Sequence, residues 1–136
     1  MASITTQGVV RWRQALVFEG GGPGRPPFTI DGDSKAGTSP VELLLVAGAS
    51  CTGADIVGIL EKMRVRLETL DIDVVGTRRE EHPRRVTAIH FRFTVRGQGA
   101  DEAKVRRAVD LSLGKYCSVM ASLAPDIGVE YDVVIA

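Results

Sequence analysis

Cysteine is scarce in this chain, and neither sign of charge prevails. Only two cysteines occur among 136 residues, Cys51 and Cys117, far apart in sequence. No CxxC pair is therefore present to announce a local redox or zinc motif. Lysine plus arginine equals aspartate plus glutamate at 17 each, so no net field points to nucleic acid and no block of like charge marks a tail. The opening "MASITTQGVVRW" has neither the basic start nor the apolar core of a secretory signal. The expectation is a cytoplasmic protein with thiols reduced at rest. The apolar run from Leu43 to Leu60 has the length of a short membrane span, but Gly48, Gly53, Asp55 and the flanking Glu42 and Glu61 are expensive in lipid. It reads as a buried helix, with no membrane partner. Internal repeats and low-complexity segments are absent. The length suits a single domain over residues 1–136, burying about two thirds of its unfolded surface.

From Val9 to Phe18 apolar residues alternate with Arg11 and Arg13, as in a half-buried strand. "EGGGPGRPP" breaks it, and "FTIDG" returns as the second arm of a long-looped hairpin. The triple glycine is not followed by the Gly-Lys-Ser/Thr of a phosphate loop. A helix start is written in "SPVE": Ser39 caps, Pro40 takes the first helical position, and Glu42 completes a capping box. This helix is expected to run to about Glu68 and, being apolar on nearly every side in its first half, to be enclosed by other elements. "LDIDVVGTRRE" and "VTAIHFRFTVRG" alternate as two strands with one wet face, joined through "EHPRR" as an antiparallel hairpin. Asp101 caps a second helix with Val105, Ala108, Val109 and Ser112 on one face, ending near Gly114. A short helix over Ser118 to Leu123 and a last strand "VEYDVVIA" follow. The order implies an α+β fold of antiparallel sheets packed on a central helix.

Taken singly, either cysteine is more often a small hydrophobe than a reactive group. The neighbours of Cys51 are all small, however: Gly48, Ala49, Ser50, Thr52, Gly53 and Ala54. A cleft or a close partner helix is expected there. Nucleophilic use requires a thiolate, and an isolated thiol titrates near about 8.5. Cys51 lies about three turns into its helix, beyond the useful field of the N-terminus, so a cation must help. Arg25, Arg11, Arg13 and Lys115 are the candidates. Cys117 directly precedes the short helix and is placed to meet its N-terminal amides. Asp55, one turn after Cys51, is placed to accept a hydrogen bond or to pair with an arginine.

Other chemistries find less support. His82 beside Pro83 and His90 among arginines give no zinc spacing with the two cysteines, so no metal is expected. A Gly-x-Ser-x-Gly elbow is missing. The stripe Ile89, Phe91, Phe93 and Val95 reads as core rather than as a substrate pocket.

The capped helix "SPVELLLVAGASCTGADIV", the hairpin "RREEHPRRVTAIHFRFTV" and the second-cysteine segment "AVDLSLGKYCSV" together resemble the OsmC/Ohr family of osmotically inducible and organic hydroperoxide resistance proteins, nearest its YhfA-like branch. The resemblance spans almost the whole chain. It implies an intertwined homodimer with sheets around long central helices and active sites at the subunit interface. It further implies a thiol peroxidase without cofactor. Cys51 would attack the peroxide and become a sulfenic acid, Cys117 would condense with it to a disulfide, and a dithiol reductant, of lipoyl type in one branch, would restore both thiols. Family peroxidases hold the thiolate with an arginine and a glutamate. Arg25 and Glu42 are the candidates here, but the glutamate position itself carries Val41, and Ser118 stands where many relatives have proline. Glu42 is one residue late, turned by about 100° on a helix. The departure keeps a second class open: a small-molecule-binding or redox-sensing protein on the same scaffold.

Overall fold

The stretch that reads as one strand from Val9 to Phe18 is two in the computed structural model, which describes residues 2–136. β1 (Val9–Gln14) turns back into β2 (Val17–Gly21). Ala15 takes a left-handed φ of 47°, and the Trp12 indole N–H donates to its carbonyl at 2.9 Å. Alanine is an unusual occupant of that conformation, so the alternation of side chains runs on without a sequence signal. β3 (Phe28–Asp31) pairs antiparallel with β2, giving the order β1-β2-β3, and the glycine–proline segment is the loop between them.

By its internal contacts the chain divides into one unit ending at Leu44 and another from Leu45 to Ala136. Among the described residues of the first unit, Ile30 is the one buried apolar side chain; Val10, Trp12, Leu16 and Phe28 are exposed. A three-stranded meander with so small a core is weakly held by apolar burial. Polar contacts organise its end instead. The buried Asp31 carboxylate accepts from the amides of Asp33 and Ala36, each at 2.8 Å, and of Lys35 at 3.3 Å. Those amides hold its carboxyl below the usual carboxylate range. The capping box forms as expected: the Ser39 amide donates to Glu42 Oε1 at 2.9 Å, and the Glu42 amide to Ser39 Oγ at 3.2 Å.

α1 spans Pro40–Lys62 and stops short of the expected Glu68. The Arg64 amide donates to the Glu61 carbonyl and the Val65 amide to the Leu60 carbonyl, with Arg64 at a φ of 63°. This is a Schellman C-cap, closed by burial of Val65 and Leu60. It usually carries glycine, and the arginine here left the stop unmarked.

The second unit holds a mixed sheet in the order β4-β5-β6. β4 (Arg66–Arg78) and β5 (Val86–Gln98) form the expected antiparallel hairpin. β6 (Gly128–Ile135) runs parallel to β5, against the expectation of purely antiparallel sheets. The chain leaves β5 at one end and re-enters at the other through its helices, a crossover that no hairpin provides. Ile89, Phe91, Phe93 and Val95 are buried along β5, as their alternation demands. α1 lays its stripe Gly48, Ala49, Thr52, Gly53, Ile56 and Leu60 inward. A methyl on Gly53 would come within 2.9 Å of Ile72, and one on Gly76 within 3.0 Å of Leu45. By length and apolarity α1 would pass for a membrane span, yet one face packs on this sheet. The rest of it is less enclosed than expected, for Val46 and Val57 stay 50% and 45% exposed. α2 (Glu102–Leu111) starts at Asp101, whose Oδ1 accepts from the Lys104 amide at 2.8 Å. It widens into a π-helical turn, Ser112–Tyr116, and α3 (Ser118–Ala121) follows.

Two outcomes are expected. A methyl at Gly97 would lie 2.5 Å from the Arg66 carbonyl oxygen, so Gly97→Ala should lower stability in urea denaturation by about 1–3 kcal/mol. Asp31 has a depressed carboxyl pKa, so the stability it lends is present above the ordinary carboxylate range and is lost as pH falls through the lowered value. Hydrogen exchange should show protection at Asp33 and Ala36 fading on that acidification, and absent at any pH in Asp31→Ala.

Candidate thiol active site

Both cysteines lie in the second unit, and folding brings them together. Cys51 sits half-buried on α1, and Cys117 is buried at 3% exposure. The Cys51 thiol is close enough to raise the pKa of Cys117. Both are free.

Cys117 is held from several sides. Its amide donates to the Ser112 carbonyl at 2.8 Å, closing the π-helical turn. An ordinary helical turn would have used the carbonyl of residue 113. The wider ring ends the helix at Cys117, which becomes the N-cap of α3 and accepts from the Met120 amide at 3.5 Å. That is the contact with helix amides expected from sequence. From α1, the Thr52 hydroxyl donates to Cys117 Sγ at 3.3 Å. Ser112, fully buried, donates its hydroxyl to Asp55 Oδ2 at 2.8 Å. Asp55 thus takes a serine rather than an arginine as its partner.

Burial pushes the Cys117 thiol above the ordinary cysteine range. The Thr52 hydroxyl and the Met120 amide pull it down, and the neighbouring Cys51 raises it again. Desolvation is the largest effect and the net direction is upward, so Cys117 rests as a thiol. The site thus pairs a buried thiol with a more exposed one.

Arg25 belongs to the first unit, where it lines a pocket of about 360 Å³ with Arg11, Arg13, Glu19 and the loop glycines; Arg13 is paired with Glu19 at 2.9 Å. Glu42 also lies there, its carboxylate taken up by Ser39 and, at 3.1 Å, by the Ser34 hydroxyl, which hold it below the usual carboxylate range. Lys115 lies over the Tyr116 ring, 5.2 Å from its centroid. His90 Nε2 meets Asp132 at 3.0 Å on the wet face of the sheet. Among the described residues no three His, Cys, Asp or Glu side chains cluster as metal ligands. Thr52 and Ser112 are the residues that sequence reasoning did not single out. The available signal was a hydroxyl on each buried helix face, at positions where an apolar residue would otherwise be expected.

Comparison with known proteins agrees with this architecture. The family model described as OsmC-like protein matches residues 31–132. Protein YhfA of Escherichia coli (strain K12) is 39% identical over 133 residues, covering 96% of this chain and 99% of that protein. The crystal structure of a hypothetical protein from Aquifex aeolicus VF5 superposes with a TM-score of 0.85 at 29% identity, over 98% of this chain and 99% of the other. The organic hydroperoxide resistance protein OhrB of Bacillus subtilis shares the fold with a TM-score of 0.62 at 15% identity, over 96% and 98% of the two chains.

Removing the Ser112 hydroxyl leaves Asp55 without its buried donor. Ser112→Ala is expected to lower unfolding free energy by about 1–3 kcal/mol, read from the urea midpoint, whereas Ser118→Ala at the exposed start of α3 should leave the midpoint nearly unchanged.

Proposed function

The chain belongs to the OsmC-like family, and from that premise we propose that it is a thiol-dependent peroxidase reducing organic hydroperoxides in defence against oxidative stress. The observation that carries the reading is the meeting of Cys51 with Cys117, one half-open and one buried, across a large separation in sequence. Organic hydroperoxides are the class for which a protein of the same fold is named.

In the first step the Cys51 thiolate attacks the distal oxygen of the hydroperoxide. The O–O bond breaks, the alkoxide leaves and takes up a proton as the alcohol, and Cys51 becomes a sulfenic acid. Cys117 then attacks the Cys51 sulfur as its own proton departs, the S–O bond breaks, water is released and a disulfide joins the two. A dithiol reductant, of the lipoyl type used in one branch of the family, returns both sulfurs to thiols by exchange. The family pattern calls for an arginine to stabilise the thiolate, and Arg25 is the candidate for that role. Glu42 serves by fixing, through its capping box, the start of the helix that carries Cys51. The working form is proposed to be a cytoplasmic homodimer. Support comes from apolar side chains of the second unit that one chain leaves uncovered, Val75 at 62% and Val46 at 50% exposed, which a second copy would cover.

A second reading, a redox sensor or binder of a thiol-reactive molecule that does not turn over, is favoured by Val41 and by the engagement of Glu42 in its cap. Turnover separates the two. With cumene hydroperoxide and dihydrolipoamide, the native protein should consume peroxide repeatedly and use hydrogen peroxide more slowly. Cys51→Ser should consume none, and Cys117→Ser should undergo one oxidation event and halt. Full turnover by Cys51→Ser would overturn the roles, and stoichiometric oxidation of the native protein without recovery would leave the sensing reading.

A further inference from the structure

A threonine in the middle of a helix ordinarily returns its hydroxyl to the carbonyl of the preceding turn. Thr52 does not. It is fully buried on α1, and its hydroxyl crosses to another segment and donates to Cys117 Sγ at 3.3 Å. The same sulfur receives one further donor, the Met120 amide at 3.5 Å. The site is therefore asymmetric: the residue adjacent to the proposed nucleophile serves the other cysteine. We propose that Thr52 is a positioning residue for Cys117, aiming its sulfur toward Cys51 and stabilising it as the thiolate during disulfide formation.

The physical reason is the acceptor's change of charge. A hydroxyl donating to a neutral thiol makes a weak bond. Donating to a thiolate it makes a charge-assisted one, roughly twice as strong. The bond therefore favours ionisation in a pocket whose burial opposes it. Of the titratable groups around Cys117, the Cys51 thiol acts on it directly. Asp55 is engaged by Ser112, Lys115 lies over Tyr116, and neither donates to the sulfur. Among the described residues Thr52 supplies the one side-chain hydroxyl that does.

The inference extends the peroxidase reading in its catalytic consequence, but the effect on Cys117 can be read without any peroxide. With Cys51→Ser as background, Cys117 is the single thiol, and its thiolate absorbance in the ultraviolet gives a titration, the protein lacking both cysteines serving as blank. Adding Thr52→Val, which keeps the shape and removes the hydroxyl, should raise the midpoint by about half to one pH unit, a three- to tenfold loss of thiolate at fixed pH below it. Thr52→Ala should do the same without added bulk, and Thr52→Ser should restore the parent midpoint. With both cysteines present, Thr52→Val should lengthen the life of the Cys51 sulfenic acid, trapped with dimedone, by the same factor. If valine, alanine and serine variants titrate alike, the assignment of Thr52 is overturned, whatever the peroxidase assay returns. If the titration shifts but no sulfenic acid ever forms, the peroxidase reading fails and the contact to Cys117 stands.

Discussion

A methyl group on Gly48 would lie 2.8 Å from Met120 Sδ, and the site exists because no methyl is there. α1 approaches the segment around α3 closely enough for Thr52 to reach Cys117, and the approach is set by bare backbone at one position and by small side chains around it. Gly53 does the same where α1 meets Ile72 of the sheet. Close-packed interiors do not stretch to fit, so a larger residue at either place would have to be met by movement of its neighbour. In the first case that neighbour is Met120, whose amide donates to the Cys117 sulfur. The run of small residues around Cys51 is thus a packing device before it is a chemical one.

The second unit was the more legible of the two, because its elements are long and periodic. The β5 stripe Ile89, Phe91, Phe93 and Val95 is buried as its alternation requires, and Asp101 caps the helix it was expected to cap. The misreadings have a common cause. Ala15 and Arg64 adopt left-handed conformations at φ of 47° and 63°, where glycine or asparagine would have announced a turn. One side chain gave no sign of the β1–β2 turn and the other none of the end of α1. The parallel pairing of β6 was hidden for a different reason, since strand direction depends on where a crossover lands and not on the strand's own residues.

For the site, the two cysteines and the placement of Cys117 before a short helix could be read directly. Their meeting could not, because it depends on the π-helical turn, a register change within α2 that composition does not encode. Asp55, one turn after Cys51, was placed to accept a hydrogen bond or to pair with an arginine, and the structure takes the first course, with the Ser112 hydroxyl as donor. The alternative was legible but the donor was not, since a partly buried carboxylate can be served by a hydroxyl from a segment distant in sequence.

The two thiols are chemically alike in the unfolded chain and unlike once folded. Burial is the difference. Cys117, desolvated at 3% exposure, has its ionisation held back, whereas Cys51 keeps partial access to solvent. In the proposed cycle an incoming peroxide meets the accessible sulfur first. Once that sulfur carries oxygen it becomes an electrophile, and the second sulfur must then give up the proton that its surroundings retain. The donors from Thr52 and Met120 point at Cys117 rather than at Cys51, on the side where burial creates the larger obstacle. In the proposed cycle enclosure holds Cys117 back, and the hydrogen bonds from Thr52 and Met120 offset part of what burial imposes on its ionisation.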